Sequence, residues 1–204
     1  MKYLYEFIGT FFLVLTVGMT VLNPGSVGPF APLAIGSALA VMVFAGGHVS
    51  GGHYNPAVSL AAFMRKKLNS KDLGLYWIAQ LLGGVVAAMV TLYLKGNGEP
   101  APMELDYLPA LLAEFLFTFA LCFVVLNVAT ARATAGNSYF GLAIGFTVLV
   151  GAYAVGAISG GAFNPAVALG ITILNISAWS NIWVYVVANL LGGAAAALVV
   201  KDIP

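Results

Sequence analysis

The chain has 204 residues, of which 61% are hydrophobic and 7% are charged. A soluble domain carries about a quarter charged residues, so this composition excludes an ordinary water-soluble protein and predicts an integral membrane protein. The formal net charge of +1 offers no basic face for nucleic acid, and the single cysteine, Cys122, excludes an intrachain disulfide.

Long apolar segments follow one another along the chain, at 3–22, 31–48, 73–94, 105–129, 139–157 and 180–200. Each is long enough to cross the hydrocarbon core of a bilayer as an α-helix. In the first segment Glu6 interrupts the apolar run and no small-residue cleavage site follows, so we expect a permanent span rather than a signal peptide. The sequence therefore predicts an all-α membrane protein with six transmembrane helices.

A shorter stretch follows the second and the fifth segments and is nearly the same in both places. Residues 50–58 read Ser-Gly-Gly-His-Tyr-Asn-Pro-Ala-Val, and residues 159–167 read Ser-Gly-Gly-Ala-Phe-Asn-Pro-Ala-Val. Asparagine caps a helix start and proline is tolerated in the first turn, so each copy predicts a loop that turns into a helix. About ten residues remain before polar residues follow, which is half a bilayer. Two such half-helices point to a transport site at Asn55-Pro56-Ala57 and Asn164-Pro165-Ala166.

The similarity between the two halves extends beyond these motifs. Residues 6–11 (Glu-Phe-Ile-Gly-Thr-Phe) match 114–119 (Glu-Phe-Leu-Phe-Thr-Phe), 108 positions later. Residues 80–84 (Gln-Leu-Leu-Gly-Gly) match 189–193 (Asn-Leu-Leu-Gly-Gly), 109 positions later. So constant an offset indicates an internal duplication of three spans and one half-helix. We expect a single transmembrane domain over 1–204, built from repeats at about 1–98 and 105–204.

Because each repeat has three spans, the second must enter the membrane from the opposite side, which gives an inverted repeat with two re-entrant half-helices. The distribution of basic residues agrees with this topology, since seven of the eight Lys and Arg residues fall on one side of the membrane and only Lys95 falls on the other. By the positive-inside rule both termini are predicted to be cytoplasmic, and the connection 95–106, with Glu99, Glu104 and Asp106, to be outside. The predicted cytoplasmic residues are Lys2, Arg65, Lys66, Lys67, Lys71, Arg132 and Lys201.

The inversion brings the two half-helices in from opposite faces, so that their Asn-Pro-Ala starts meet near the midplane of the bilayer. Irregular backbone at that depth is tolerated only where it is buried in protein or lines a watery cavity. We therefore expect the free carbonyl groups of the two loops to line a polar passage. They belong to Gly51, Gly52, His53, Gly160, Gly161 and Ala162.

Two further patterns concern packing. Runs of small residues predict faces where helices approach closely, at Gly83, Gly84, Ala87 and Ala88 and again at Gly192, Gly193, Ala196 and Ala197. Aromatic residues near the span ends predict positions at the membrane interface, where amphipathic rings are favoured. These residues are Tyr76, Trp77, Tyr93, Tyr107, Trp179 and Trp183.

The doubled Ser-Gly-Gly-x-x-Asn-Pro-Ala motif, with Glu6 and Glu114 in the first and fourth spans, resembles the aquaporins, or major intrinsic proteins. The resemblance covers essentially the whole chain. It implies six tilted spans and two half-helices around one pore per subunit, usually in a homotetramer. It also implies that the side-chain amides of Asn55 and Asn164 donate hydrogen bonds to passing solutes, and that the carbonyl groups of the two loops accept them.

Glu6 and Glu114 allow two interpretations. An intramembrane carboxylate can serve a proton relay, whereas the resemblance implies that each carboxylate accepts backbone N–H groups and braces the irregular loop of its own half. The symmetric placement of the two residues favours bracing. His53, two positions before Asn55, is expected either to brace the loop or to line the pore as a neutral imidazole.

The charges around the crossing point favour uncharged solutes. Each helix N-terminus acts as about half a positive charge, and two of them face one point of low dielectric constant. No Asp or Glu stands beside either motif in the sequence to offset them. We therefore expect a barrier to cations that neutral solutes do not meet.

The sequence departs from the resembled family at the outer constriction. Water-selective members usually have an Arg directly after the second Asn-Pro-Ala, and here that position is Val167. The other positions of this ring are Ile35, Ala152 and Gly161, where Phe and His are common at the first two. An Arg donates up to five hydrogen bonds and fills the mouth, and Val does neither. This argues against strict water selectivity and against simple assignment to the glycerol facilitators, which usually keep that Arg.

We accordingly expect a passive channel for water and small uncharged solutes in a lipid bilayer, with no cofactor or metal. The alternative is a facilitator of glycerol, urea, ammonia or dissolved gas with water secondary. The short chain, the absence of a targeting signal and the minimal loops favour a plasma membrane, specifically a prokaryotic inner membrane.

Other classes remain open. A coupled secondary transporter also uses inverted repeats and broken helices, but it needs ionisable partners or a cation site at the crossing point, and none is visible in the sequence. A serine hydrolase could use Ser50 or Ser159 with His53, although no orienting carboxylate lies nearby in the sequence. A purely structural role would retain the fold through packing alone. We expect no enzyme activity.

Overall fold

A computed structural model describes residues 1–96 and 101–200, so that the predictions made for Glu99 and Lys201 lie outside the described residues. Its secondary structure is helical apart from an isolated bridge between Met103 and Ser177. The α-helices are α1 (Lys2–Val21), α2 (Ala31–Ser50), α3 (Pro56–Met64), α4 (Ser70–Lys95), α5 (Tyr107–Thr130), α6 (Phe140–Ser159), α7 (Pro165–Ile173) and α8 (Ile182–Val199). Short 3-10 helices lie at Gly25–Phe30, Arg132–Thr134 and Trp179–Asn181.

Within the described residues, six helices are long and apolar enough to cross a membrane, which confirms the predicted number of spans. They are α1, α2, α4, α5, α6 and α8, while α3 and α7 have nine residues each. Large apolar side chains such as Leu108 and Leu198 are exposed on the outside of the helix bundle. Such a surface is stable in lipid, where helices satisfy their own backbone groups.

The helices of the two halves pack in the same order. α1 lies along α4, as α5 lies along α8, and α2 contacts α6 between the halves. The starts of α1 and α4 lie together, because Lys2 Nζ is 2.7 Å from Asp72 Oδ2. Their ends also lie together, since Lys95 Nζ donates to the carbonyl oxygens of Met19 and Leu22. The two helices are therefore parallel, as two spans separated by one crossing must be.

Each half-helix packs mainly on the half to which it does not belong, α3 against α8 and α7 against α4. The predicted small-residue faces make this possible. A Cβ atom at Gly84 would lie 2.8 Å from the carbonyl oxygen of Ala166 on α7, and one at Gly193 would lie 2.7 Å from that of Ala57 on α3. The preceding glycines, Gly83 and Gly192, face α1 and α5 in the same way. In α4 and in α8, two successive glycines thus allow two different helices to pack closely on the same helix.

The interface prediction is wrong for Tyr76 and Trp77. Tyr76 is 2% exposed and its hydroxyl donates to the carbonyl oxygen of Ser50 at 2.6 Å. Trp77 is partly buried and its Nε1 donates to the carbonyl oxygen of Pro56 at 3.0 Å. Both rings lie about two turns inside α4, which begins at Ser70, where they donate to carbonyl groups at the end of α2 and at the start of α3. The remaining aromatic residues of that prediction are exposed: Tyr93, Tyr107, Trp179 and Trp183.

Candidate functional site

The loops that precede the half-helices follow the same backbone path in both halves. Gly51 and Gly160 end α2 and α6 with φ values of 90° and 86°, and the next residues are also left-handed. Tyr54 and Phe163 have φ values of 50° and 49°, which cost energy for residues with a Cβ atom. Strain of this kind persists only where the surroundings determine the conformation. The contacts below supply those constraints.

Glu6 holds the first loop. Its carboxylate is fully buried and accepts from Ser50 Oγ at 2.7 Å, from the backbone N–H of His53 at 3.0 Å and from that of Tyr54 at 2.7 Å. Gln80 Nε2 on α4 donates to the same carboxylate at 2.8 Å. A buried carboxylate needs several donors to be stable, and these four also order the loop.

Glu114 occupies the equivalent place in the second half. It accepts from Ser159 Oγ at 2.8 Å, from the backbone N–H of Ala162 at 2.9 Å and from that of Phe163 at 2.7 Å. Asn189, which replaces Gln80 in the repeat, accepts instead from Thr118 Oγ1 at 2.9 Å. These are the contacts that bracing requires. Neither carboxylate lines the cavities described below, as a proton relay along the pathway would require.

The two half-helix starts are joined to each other. Asn55 Oδ1 accepts from the N–H of Ala57 at 2.8 Å and Asn164 Oδ1 from that of Ala166 at 2.9 Å, so each asparagine caps its own helix. Asn55 Nδ2 then donates to the carbonyl oxygen of Phe163, and Asn164 Nδ2 to that of Tyr54, both at 2.8 Å. A side-chain amide carries two N–H groups, so each asparagine keeps one donor beyond this exchange.

A cavity of about 180 Å³ passes alongside both asparagines. Asn55 and Asn164 lie in its wall together with Gly160, Gly161 and Ala162. Among the described residues no Asp, Glu, Lys or Arg lines it. We call it the outer cavity because it leads toward the predicted outer ends of the spans. All members of the predicted outer ring line it: Ile35, Ala152, Gly161 and Val167.

A second cavity, of about 390 Å³, lies on the other side of the first loop, and we call it the inner vestibule. Ser50, Gly51 and His53 line it together with Lys2 and Asp72, the ion pair at the starts of α1 and α4. In contrast to the outer cavity, its wall is charged.

Five of the predicted site residues lie off the pathway. Gly52 lines neither cavity, because its N–H donates to Ser50 Oγ at 3.1 Å and the turn packs it on α2. Pro56 and Pro165 line a separate apolar groove with Trp77. Ala57 and Ala166 are fully buried, and their carbonyl oxygens lie against the glycines of α8 and α4.

Several side chains that the motifs do not contain complete the site. Tyr76 and Tyr185 donate to the carbonyl oxygens of Ser50 and Ser159, at 2.6 and 2.7 Å. Ser59 and Gln80 join Glu6 to His53, as described below. The repeat offset of 109 residues was the available signal, because Tyr76 and Tyr185 stand at equivalent positions.

The site geometry disfavours the serine hydrolase. Ser50 Oγ does lie beside a carboxylate, that of Glu6, but it donates to it directly at 2.7 Å. His53 Nδ1 contacts Ser59 Oγ at 3.0 Å and not Ser50. A nucleophile, a base and an orienting acid in series are therefore not assembled here.

Six membrane-crossing helices, two half-helices joined at their starts and an uncharged cavity beside that junction define a membrane channel. The chain belongs to the major intrinsic protein family, whose family model matches residues 1–200. It is therefore a multi-pass membrane channel for water and small uncharged solutes, and it is not an enzyme.

Proteins similar to this chain include plant and bacterial channels. The chain is 36% identical over 205 residues to "Aquaporin NIP1-1" of Oryza sativa subsp. japonica, covering 96% of this chain and 72% of the relative. It is also 36% identical over 206 residues to "Glycerol uptake facilitator protein-like 6" of Lactiplantibacillus plantarum, covering 96% of this chain and 94% of the relative. The X-ray structure of the aquaglyceroporin from Plasmodium falciparum superposes with a TM-score of 0.83 over 99% of this chain and 95% of that one, at 23% identity, which is a likeness of fold.

Proposed function

We propose that this channel conducts solutes larger than water, such as glycerol or urea, together with water itself. The observation that carries the proposal is the composition of the outer ring. Ile35, Ala152, Gly161 and Val167 lie in the wall of one cavity with both asparagines, and none of the four has a charged or polar side chain. Val167 stands directly after the second Asn-Pro-Ala motif, where an Arg would fill the mouth.

The lining of the outer cavity combines a few polar groups with apolar side chains. The carbonyl groups of Gly160, Gly161 and Ala162 accept hydrogen bonds from a solute, and the free N–H groups of Asn55 and Asn164 donate to it. The rest of the lining is mostly apolar, with residues such as Leu39 and Ile144. A solute with hydroxyl or amide groups along one edge replaces its lost water at the polar groups and leaves its other edge against the apolar side chains. Glycerol and urea have such an edge.

Cations are excluded at the junction of the half-helices. The N-termini of α3 and α7 meet there, and each acts as about half a positive charge. The outer cavity holds no Asp or Glu to offset them, as far as the described residues extend. Removing a cation's water in a narrow apolar passage adds to the same barrier. A coupled transporter would need a carboxylate or a cation site at the junction, where the lining of the outer cavity offers the amides of two asparagines, backbone carbonyl groups and one histidine, His53.

The architecture we propose consists of inverted repeats at about 1–98 and 105–204, with both termini on the cytoplasmic side. Glu6 and Glu114 brace the two loops of this architecture. The seven-to-one division of Lys and Arg supports the orientation. We also propose that the channel lies in a plasma membrane, specifically a prokaryotic inner membrane. The bacterial relative, of which this chain covers 94%, supports this location. We further propose a homotetramer with one pore per subunit, on the strength of the family resemblance.

The second candidate is a facilitator of glycerol, urea, ammonia or dissolved gas in which water is secondary. The apolar outer ring favours this candidate. Water makes few hydrogen bonds in an apolar mouth, whereas a larger solute makes van der Waals contact with the apolar side chains. Purified protein in proteoliposomes, exposed to water, glycerol and urea gradients, distinguishes the two candidates. Rapid swelling in all three gradients supports the first, and rapid swelling with glycerol or urea but slow water exchange supports the second. No flux above protein-free vesicles contradicts both.

A further inference from the structure

Among the described residues, the outer cavity and the inner vestibule share two lining residues, His53 and Val125. A constriction of the pathway is expected where one cavity ends and the next begins. The outer ring is not such a place, because its four members line the same cavity as both asparagines. We propose that the solute-selecting constriction of this channel lies between His53 and Val125, on the inner side of the asparagine junction. The proposal rests on the proposed function and says where its selectivity is set.

The repeat explains why the narrow point is on the inner side. The position equivalent to His53 in the second half is Ala162, and the position equivalent to Val125 is Val17. Ala162 and Val17 both line the outer cavity, which stays open where they face it. The two halves thus place the same kind of wall on either side of the junction. The difference is that the inner wall has the imidazole of His53 where the outer wall has the methyl group of Ala162.

His53 is held by a chain of hydrogen bonds that begins at Glu6. Gln80 Nε2 donates to Glu6 Oε2 and to Ser59 Oγ, both at 2.8 Å, which uses both of its N–H groups. Ser59 Oγ lies 3.0 Å from His53 Nδ1. Ser59 Oγ accepts from Gln80 and keeps its own proton, and we assign that proton to His53 Nδ1. The chain therefore assigns the neutral tautomer that carries its proton on Nε2.

The ring is also fixed by packing. It meets the ring of Tyr76 edge to face, with centroids 5.3 Å apart. Its Nε2 lies over Gly51, where a Cβ atom would be only 2.9 Å away. Gly51 lines the inner vestibule, so the Nε2–H group lies at the mouth of that space. The second half repeats only the first member of this hydrogen-bond chain: Glu114 corresponds to Glu6, but Ser59 is replaced by Ala168, Gln80 by Asn189 and His53 by Ala162.

Opposite the imidazole, Val125 on α5 supplies an apolar surface. The constriction thus has one donor, His53 Nε2–H, and one apolar side. It favours solutes that present a hydroxyl or carbonyl oxygen to the donor and whose cross-section fits beside the valine. Selection there is by width, with a single hydrogen bond replacing part of the lost water. His53 and Val125 contact the solute, whereas Ser59 and Gln80 are positioning residues.

The test compares two valines that are alike in everything but position. Val125 and Val148 are 7% and 8% exposed, and both line the outer cavity, but only Val125 also lines the inner vestibule. Water and glycerol permeabilities are measured by stopped-flow light scattering on the same vesicles. Val125→Ala should raise the ratio of glycerol to water flux several-fold, and Val148→Ala should raise it much less, because the space that it widens is already open. Val125→Ile should lower the ratio, which keeps the test independent of any loosening caused by truncation.

Equal ratios for Val125→Ala, Val148→Ala and the wild type would overturn the proposal. The proposed function is judged separately on the wild type, by flux above protein-free vesicles. A wild type that passes water but no glycerol would contradict the wide-solute function, and Val125→Ala would still have to admit glycerol if the constriction is placed correctly.

The hydrogen-bond chain from Glu6 to His53 is tested separately, by the tautomer of His53, which packing alone would not change. The chain contains two histidines, His48 and His53, so His48→Gln leaves a single imidazole for nitrogen NMR of ¹⁵N-histidine-labelled protein in bilayers. We expect an unprotonated Nδ1 and a protonated Nε2. Adding Ser59→Ala should produce a mixture of the two tautomers. A protonated Nδ1 in the parent protein, or an unchanged spectrum after Ser59→Ala, would refute the role given to Ser59.

Discussion

Asn55 Nδ2 donates to the carbonyl oxygen of Phe163, 108 residues later in the chain, across 2.8 Å. The reverse bond, from Asn164 to Tyr54, has the same length. Each half-helix start is therefore held by the loop of the opposite half, and neither half builds its part of the pathway alone. The same side chains that join the halves keep one N–H group each for a solute.

Asn55→Asp is expected to weaken this junction and to admit cations. Aspartate can still cap α3 by accepting from Ala57, but it cannot donate to Phe163, which leaves a buried carbonyl group unpaired. The cost is about 1 to 3 kcal/mol of unfolding free energy. The added negative charge also offsets the half-helix N-termini that repel cations. Thermal unfolding and cation currents in planar bilayers measure the two effects.

The control is Asn127→Asp, because Asn127 is also an amide on a spanning helix but donates to Phe123 within its own helix at an exposed position. The wild type and this control should show negligible proton and alkali-cation current. Currents that scale with the amount of wild-type protein would mean that the half-helix dipoles are not the main barrier and that the missing Arg matters more.

Glu6→Gln is expected to lower stability strongly and flux with it. Glu6 accepts four hydrogen bonds, and a glutamine at this place turns one acceptor into an NH₂ group that faces other donors. Hydrogen bonds to a charged group contribute about 1.5 to 3 kcal/mol each, so losing one or two should lower the unfolding temperature clearly. Glu104→Gln, at an exposed position, is the control. If Glu6→Gln unfolded like the wild type but lost only proton-coupled flux, the relay interpretation would replace bracing.

Mercurial reagents are expected to inhibit weakly. The only cysteine, Cys122, is fully buried on α5 and does not line either cavity, and the position three before Asn164 is Gly161. Water flux should therefore change little on addition of mercuric chloride, and Cys122→Ser should behave like the wild type. A strong block that disappears in Cys122→Ser would show that this face of α5 reaches the pathway.

Both termini are expected to be cytoplasmic. A cysteine introduced at Pro204, which lies outside the described residues, in a Cys122→Ser background should react with an impermeant maleimide only in inverted vesicles. The physical reason is the positive-inside rule, because this topology places seven of the eight Lys and Arg residues on the cytoplasmic side. Labelling from outside intact cells is the opposite result and would require a different topology.

The sequence predicted the parts of the fold that local patterns encode. The apolar segments marked the spans, and the Asn-Pro-Ala stretches marked two helices that begin at Pro56 and Pro165 and are nine residues long. Glu6 and Glu114 were found because carboxylates are rare in apolar helices. These features depend on length, composition and capping, which act over a few residues.

Other parts depend on which surfaces meet, and no local pattern contains that information. Tyr76 was expected at the interface because its position near a span end fits that pattern, but a loop carbonyl within reach takes its hydroxyl. Ser59 looks like any small residue of α3 until Gln80 and His53 are brought to either side of it. The cross-links from the two asparagines to Phe163 and Tyr54 likewise follow from the meeting of the halves.

Val167→Arg tests the wide, uncharged outer ring most directly. Ala152 and Gly161 leave room beside position 167, so the longer side chain should fit, narrow the mouth and add donors. Stopped-flow light scattering on one set of vesicles gives the water, glycerol and urea permeabilities of the wild type and the variant. We predict that the wild type passes all three and that Val167→Arg reduces glycerol and urea flux much more than water flux. A wild type that excludes glycerol and urea, or a variant that passes them unchanged, would contradict the open ring.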